Sequence, residues 1–237
     1  MNERVKTQNG CGWTTDQSNP ITDEMLEFIA ASESPTILDI GAAYGVATLP
    51  ALRAGATVVA NDIESSHLVH IVRMASQENL EGRLTTHLGR FPFVDDIEKI
   101  NAIHCSNVLR FLSGKELLLA FAYAIRALLP GCKIFIQVGT PYAGHVRRFI
   151  PIYEERLRRG DPWPGEIEDT RPFLAEEIRD EVPRFLHLLD RETLCGALQF
   201  AGFHIEHASC YSRPGLPEVC RNDGRENFGV VASLRAT

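Results

Sequence analysis

The fold is decided by one stretch of the chain, Thr36-Ile37-Leu38-Asp39-Ile40-Gly41-Ala42-Ala43-Tyr44-Gly45. Apolar residues surround a single acid, Asp39, and the run then breaks into small residues, which predicts a buried parallel strand that ends in a tight turn. A second apolar run over 57–61 ends at Asp62. A strand, a glycine turn, a helix and an acid at the tip of the next strand predict a nucleoside-binding unit, in which the second acid accepts two ribose hydroxyls.

The spacing of the glycines in this turn indicates which nucleoside is bound. The dinucleotide fingerprint G-x-G-x-x-G, started at Gly41, requires glycines at 43 and 46, where the chain has Ala43 and Val46. The pattern present is instead D-x-G-x-A-x-G, from Asp39 to Gly45. At these residues the chain resembles the class I S-adenosylmethionine-dependent methyltransferases. The first motif of that family is an acid followed by alternating glycines, and Ala43 replaces the middle one.

Two further segments carry the same resemblance. Residues 107–112, Asn-Val-Leu-Arg-Phe-Leu, are similar to the fourth motif of the family, although Asn101 replaces the acid that usually opens it. The pattern L-D-x-x-x-L followed by A-G-F, over 189–203, is similar to the segment that introduces the closing antiparallel hairpin. The resemblance covers about 34–142 and resumes from about 186. It implies an α/β fold with a doubly wound, mostly parallel seven-stranded sheet, helices on both faces and S-adenosylmethionine as the cofactor.

The apolar periodicity alternates between strands and helices, as a doubly wound parallel sheet requires. Pro50 lies inside the first helix of the nucleoside-binding unit, which predicts that this helix is kinked or shortened. Ser113 and Glu116 form a capping box, so a helix begins directly after Ser113. Strands are expected at 36–40, 57–61, 83–88, 102–106, 133–138, 203–209 and 228–234, and helices from about 22, at 45–54, 65–77 and 114–129, and after 190.

The chain divides into four segments. Residues 1–33 are an N-terminal arm and helix, 34–142 form the S-adenosylmethionine-binding core, and 187–237 form the C-terminal part of the core sheet. Between them, 143–186 is dense in charges of both signs, which fits a solvated helix and loop. Its position after the fifth strand, beside the reactive methyl group in the family, instead predicts an inserted lid over the substrate, with Trp163 as an apolar wall.

The resemblance implies a set of cofactor-binding residues at the carboxyl ends of the strands. Asp39 orients the methionine end, and Asp62 accepts the ribose hydroxyls while Ile63 packs against the adenine. Glycines in the first turn let the backbone approach the ligand. The full set is Asp39, Gly41, Ala43, Gly45, Asp62, Ile63, Leu88, Gly89, Ser106 and Asn107.

The adenine and sulfonium ends of this set are assigned by position. The adenine edge is read by the backbone at Leu88 and Gly89, or by His87. Ser106 and Asn107 come at the end of the fourth strand of the core. Carbonyl and amide oxygens there offer partial negative charge to the sulfonium without ionising.

Methyl transfer is an in-line displacement, for which the protein supplies alignment and a water-poor pocket. A general base is needed only if the acceptor must lose a proton. His145 is the first candidate for this catalytic role and His104 the second, and each histidine also fits a structural role. The sequence lacks the acid-rich spacing of the metal-dependent catechol methyltransferases, so no metal site is expected.

Composition restricts the partners and the compartment. The 237-residue chain has a formal net charge of -7, which disfavours a nucleic-acid partner because phosphate backbones are bound by clustered cations. The polar start argues against a secretory signal, and the longest apolar run, 117–125, is too short to cross a bilayer. The six cysteines include no C-x-x-C pair, which fits reduced thiols and a cytoplasmic protein.

Three functions are compatible with these features. The first is an S-adenosylmethionine-dependent methyltransferase that acts on a small molecule. The second is an NAD(P)-dependent oxidoreductase, against which the missing glycines count. The third is a non-catalytic protein that binds S-adenosylmethionine or its product and regulates a partner, an alternative that the replacements at Ala43 and Asn101 leave open.

Overall fold

The computed structural model describes residues 4–7, 13–15, 18–92, 97, 99–174, 176–213 and 218–234. The helices are α1 (Pro20–Ala30), α2 (Thr48–Arg53), α3 (Ser65–Gln77), α4 (Gly114–Ala127), α5 (Ile150–Arg158) and α6 (Arg191–Phe200). The strands are β1 (Arg4–Lys6), β2 (Trp13–Thr15), β3 (Thr36–Ile40), β4 (Thr57–Asp62), β5 (Leu84–Leu88), β6 (Ile100–Ser106), β7 (Leu128–Gly139), β8 (Glu166–Ile167), β9 (Leu186–His187), β10 (Phe203–Tyr211) and β11 (Asn227–Leu234). In this described part of the chain, no helix has the length and apolar character that crossing a membrane requires.

Seven of these strands form the central sheet, in the order β5-β4-β3-β6-β7-β11-β10. Neighbours among β3 to β7 pair in parallel, whereas β11 runs antiparallel to both β7 and β10. The predicted doubly wound, mostly parallel seven-stranded sheet is therefore confirmed. The strand order reverses between β3 and β6, and sheets of this kind bind ligands outside the carboxyl ends of the strands at that point.

Helices cover both faces of the sheet because the side chains of each strand alternate between the faces. In β3, Ile37 belongs to the apolar core that includes α1, α2 and α3, whereas Leu38 and Ile40 belong to the core that includes α4 and α6. Met25 and Ile29 are the buried apolar stripe of α1, as their helical spacing predicts. The two cores hold β3 in the middle of the molecule and fix the position of the turn that follows it.

Two boundaries and one pair of strands differ clearly from the sequence expectation. The helix α2 begins at Thr48 and not near 45, because residues 43–47 continue the turn. Pro50 then lies in the first turn of α2, where its missing N–H leaves no hydrogen bond unmade. The strand β7 begins at Leu128, where the preceding helix was expected to continue. The N-terminal arm contains β1 and β2, an antiparallel pair that the sequence did not predict.

Residues 143–186 form a small layer at the carboxyl edge of the sheet. The short strands β8 and β9 pair antiparallel, and α5 buries one aromatic side chain, Tyr153. The layer has an apolar cluster of its own, so it is more than a solvated helix and loop. Its role as a lid stays a prediction. The cluster includes Ala143, Val146, Phe149, Tyr153, Ile167, Leu174, Ile178 and Leu186, together with Leu188 just after the segment.

Candidate active site

A cavity of about 790 Å³ opens at the carboxyl edge of the sheet, where the strand order reverses. Its volume lies within the range of roughly 300–1,000 Å³ that is usual for small-molecule sites. Gly45, Leu88 and Gly89 are not among its lining residues in the described chain. The predicted site residues that do line it are Asp39, Gly41, Ala43, Asp62, Ile63, His104, Ser106, Asn107 and His145.

Asp39 is buried in β3, and two side chains hold its carboxylate. Oδ2 accepts a hydrogen bond from Oγ1 of Thr48 at 2.6 Å, and Oδ1 lies 2.8 Å from Nδ1 of His104. The other ring nitrogen of His104, Nε2, lies 3.0 Å from Oγ1 of Thr22 in α1. Both nitrogens of His104 therefore have partners. This geometry argues against the predicted base role of His104 and makes it a positioning residue for Asp39.

The turn after β3 enters the left-handed region of the backbone three times, at Gly41 (φ 70°), Ala43 (φ 45°) and Gly45 (φ 81°). A Cβ on Gly41 would lie 2.2 Å from Cγ2 of Val108, so glycine is needed there on two grounds. Gly45 does not line the cavity, and its carbonyl accepts the N–H of Leu49 at 2.9 Å. The glycines thus let the turn bend tightly, while Ala43 takes a conformation that glycine adopts more readily.

Asp62, at the end of β4, is buried and accepts hydrogen bonds from the protein itself. Oδ2 accepts from the N–H of Ala43 at 2.8 Å. Oδ1 accepts from the N–H of Glu64 at 2.9 Å and lies 3.2 Å from Nδ1 of His67. A carboxylate has about four acceptor positions, so the Oδ2 side keeps capacity for a ligand hydroxyl. Ile63 follows directly, lines the cavity and is 53% exposed.

The segment after β5 is locked by hydrogen bonds within the protein. Asn61 donates through Nδ2 to the carbonyl oxygens of His87 at 3.0 Å and Gly89 at 2.9 Å. The N–H of Gly89 donates to the carbonyl of Asp62 at 3.0 Å. The N–H of Gly89 is therefore already used, and its carbonyl oxygen has one of its two lone pairs engaged.

The adenine end of the site thus differs from the sequence prediction. Leu88 is 59% exposed and, like Gly89, does not line the cavity. The next two residues, Arg90 and Phe91, line it instead. Phe93, the last residue of the predicted Phe-Pro-Phe turn, lies outside the described residues. A role in reading adenine consequently fits residues 90 and 91 better than Leu88 and Gly89.

A hydrogen-bonded group lies where β6 and β7 end. Oε1 of Gln137 accepts from Oγ of Ser106 at 2.8 Å and from Nδ2 of Asn107 at 2.9 Å. Nε2 of Gln137 donates back to Oδ1 of Asn107 at 3.1 Å. Because Gln137 is fully buried, it fixes both side chains, and the second lone pair of the Asn107 oxygen remains for a ligand.

Arg110, His145 and Cys220 line the cavity where it meets residues 143–186. Nδ1 of His145 is buried and has no hydrogen-bond partner among the described residues. Burial, together with the positive charge of Arg110, lowers the pKa of His145 to about 3. The imidazole is therefore neutral near neutral pH, and it is a weak base as long as the charge of Arg110 is not compensated. The catalytic role of His145 stays a prediction.

Trp163 does not form a wall of the cavity, contrary to the sequence prediction. Its indole packs on Gly114 at the start of α4, where a Cβ would lie 2.1 Å from Nε1. The ring also stands edge-on to His187, with 5.3 Å between the ring centroids. Trp163 therefore attaches the 143–186 layer to α4.

Sequence reasoning missed several residues of the site. Arg110 lies inside the segment that is similar to the fourth motif, so its charge within an apolar context was an available signal. Thr22 and Gln137 had no such signal, because their contacts with His104 and Asn107 depend on how distant elements pack.

The strand order, the turn after β3 and the acid at the end of β4 define a Rossmann-like nucleoside-binding protein. No family model matches the chain. The demethylmenaquinone methyltransferases of two Tropheryma whipplei strains, Twist and TW08/27, are each 30% identical over 187 residues, which cover 73% of this chain and 69% of the relative. The chain therefore belongs to the class I S-adenosylmethionine-dependent methyltransferases.

Solved structures show the same fold. A methyltransferase from Methanosarcina mazei is 16% identical with a TM-score of 0.66, over 93% of this chain and 100% of that one. The glycopeptide N-methyltransferase MtfA in complex with S-adenosylmethionine is 16% identical with a TM-score of 0.60, over 91% of this chain and 87% of that one. MtfA was also crystallised with S-adenosylhomocysteine and with sinefungin. S-adenosylmethionine is the cofactor of this family.

Proposed function

We propose that the chain transfers a methyl group from S-adenosylmethionine to a small-molecule acceptor that binds under residues 143–186. The observation that carries the proposal is a single cavity with two different walls. Ala43 and Asp62 line it on the sheet side, and His145 and Phe185 line it from the 143–186 layer. A donor held by the first wall and an acceptor held by the second would meet in one space.

The residues of the sheet side fit the cofactor. Asp62 retains an acceptor position for a ribose hydroxyl, and Gly41 lets Val108 pack against the turn that lines the cavity. The buried carboxylate of Asp39 and the amide oxygen of Asn107 place negative charge at the same edge, which favours a cation. When bound, S-adenosylmethionine supplies an electrophilic methyl group on a positively charged sulfur.

The contribution of the chain to catalysis is then alignment and the exclusion of water. The 143–186 layer lines the cavity with Val182, Pro183 and Phe185, which are apolar. We assign the removal of a proton to His145 where the acceptor requires it. A negative charge beside Arg110 would raise the pKa of His145 and make it a stronger base.

The relatives support a shared donor and a variable acceptor. Their names concern a demethylmenaquinone in one case and a glycopeptide in the other. Both kinds of enzyme are similar to this chain, so we place the acceptor specificity in the part of the cavity that meets the 143–186 layer. The sheet side, by contrast, serves the donor.

Two measurements test the proposal. Calorimetric titration with S-adenosylhomocysteine and with NADH compares the donor classes, and we expect binding of S-adenosylhomocysteine alone. Incubation with methyl-labelled S-adenosylmethionine and a panel of small acids, amines and phenols then tests turnover. A preference for NADH, or donor binding with no labelled product from any acceptor class, would contradict the proposal.

A further inference from the structure

Arg110 lines the cavity and forms no ion pair with any of the described residues. It lies in a short 3-10 turn after β6, and its guanidinium lies over the backbone of Gly139, where a Cβ would be 3.8 Å from Nη1. Its Nε is buried without a hydrogen-bond partner in the described part of the chain. A partly buried charge without an ion-pair partner is costly, and an incoming anion would reduce that cost.

Three of the acids that line the cavity, Glu226, Asp39 and Asp62, are committed to other partners. Glu226 accepts hydrogen bonds at Oε1 from the N–H groups of Asn222 and Gly224, and at Oε2 from Oγ of Ser212. Asp39 and Asp62 are held by the contacts given above. Burial lowers the pKa of Arg110 to about 10. Arg110 therefore stays charged at neutral pH.

The surroundings of Arg110 define the kind of molecule that would bind there. A guanidinium presents a planar fork of N–H donors that matches the two oxygens of a carboxylate or phosphate. A second arginine, Arg213, also lines the cavity. Phe111 and Phe185 line it as well, and the ring of Phe111 lies 6.0 Å from Cζ of Arg110. The site thus combines a cationic group with apolar aromatic walls.

We propose that the methyl acceptor carries an oxyanion, a carboxylate or a phosphate, that binds to Arg110, and that its apolar part lies against Phe111 and Phe185. This inference rests on the proposed function, because it names the chemistry of the molecule that enters the acceptor side. It also gives Arg110 a role in specificity, since a neutral analogue would leave the half-buried guanidinium without an ion-pair partner.

The test uses simple probes on protein that is saturated with S-adenosylhomocysteine. Benzoate, phenyl phosphate and the neutral benzamide are titrated by calorimetry into the wild type, Arg110→Met and Arg110→Lys. Arg126→Met is the matched control, because Arg126 is an exposed arginine on α4 that does not line the cavity. The affinity of each variant for S-adenosylhomocysteine checks that it is folded.

We expect an anion to bind the wild type and Arg126→Met equally, and to bind Arg110→Met about tenfold or more weakly. Arg110→Lys should be intermediate, because it keeps the charge and loses the fork. A preference for benzoate would identify a carboxylate, and a preference for phenyl phosphate a phosphate. If the site prefers a carboxylate, benzamide should bind the wild type about tenfold more weakly than benzoate.

Two results would overturn the inference while leaving the proposed function intact. In the first, S-adenosylhomocysteine binds normally and neither anion binds. In the second, both anions bind Arg110→Met as tightly as the wild type. If Arg110→Met does not fold, the comparison of each anion with benzamide on the wild type decides, because equal binding contradicts a cationic site. Failure of the wild type to bind S-adenosylhomocysteine would instead count against the proposed function.

Discussion

The backbone N–H of Ala43 donates a hydrogen bond to Oδ2 of Asp62 over 2.8 Å. This bond joins the turn after β3 directly to the end of β4. Asp62 therefore has two tasks, because it fixes the turn and it offers an acceptor position to the cavity. The N–H of Glu64, bonded to the other carboxylate oxygen, holds the acid in the orientation that both tasks need.

Replacing Asp62 should affect cofactor binding strongly. We expect Asp62→Ala to weaken the binding of S-adenosylhomocysteine by about 2–4 kcal/mol, which is roughly 30- to 1000-fold, because charge-assisted hydrogen bonds to the ribose are lost. Calorimetry measures the affinity, and Asp169→Ala, which removes an exposed acid of the 143–186 layer, is the control. A change below about threefold for Asp62→Ala would remove the residue from the site.

The turn itself offers a stability test at Ala43. Its φ of 45° lies in the left-handed region, which costs an L-residue roughly 1–2 kcal/mol. We expect Ala43→Gly to stabilise the protein by about 0.5–1 kcal/mol, because relief of this strain exceeds the extra entropy of a glycine in the unfolded chain. Urea denaturation measures the difference. A lower stability of Ala43→Gly would show that the methyl group makes contacts worth more than the strain.

The fold could be predicted from the sequence because local patterns determine it. The apolar run of β3 and the small residues after it are contiguous, and the capping box of Ser113 and Glu116 marks α4 directly. The parallel order of the sheet followed from the alternation of strands and helices. Even Pro50 was informative, since α2 is shorter than its apolar pattern suggested.

The site was less accessible because its contacts connect elements that are distant in sequence. His104 is a plausible base by composition, and only the packing of α1 against the sheet shows that Thr22 and Asp39 occupy its nitrogens. Trp163 looked like a cavity wall by its position, but Gly114 provides the surface on which it packs. Such pairings carry no sequence period, so patterns do not reveal them.

The contact between Trp163 and Gly114 gives a test of how the 143–186 layer is attached. A Cβ at position 114 would lie 2.1 Å from Nε1 of Trp163, so Gly114→Ala should displace the indole and loosen the layer. We expect a loss of about 1–3 kcal/mol in the free energy of unfolding and faster proteolysis within 159–165. Gly196→Ala is the matched control, because a Cβ in the middle of α6 meets nothing within 4 Å.

The two glycine variants should change stability in opposite directions. Gly196→Ala should stabilise the protein by about 0.5–1 kcal/mol, because alanine is the better helix former. If Gly114→Ala matches Gly196→Ala in stability and in its proteolysis pattern, the contact with Trp163 does not attach the layer.

The pH dependence of stability provides a direct test of the environment of His145. Burial and the charge of Arg110 lower its pKa in the folded protein to about 3, whereas the unfolded chain has a value of about 6.5. Between these two pH values the unfolded state binds a proton that the folded state does not bind. The free energy of unfolding should therefore rise with pH by up to about 1.4 kcal/mol per pH unit, and this rise should end above about pH 6.5. His145→Gln removes this titration and should flatten the slope between about pH 4 and about pH 6.5.

Arg110→Met should raise the pKa of His145, which NMR titration of the imidazole measures. Equal slopes for the wild type and His145→Gln would show that the imidazole is accessible to water and that Arg110 does not act on it.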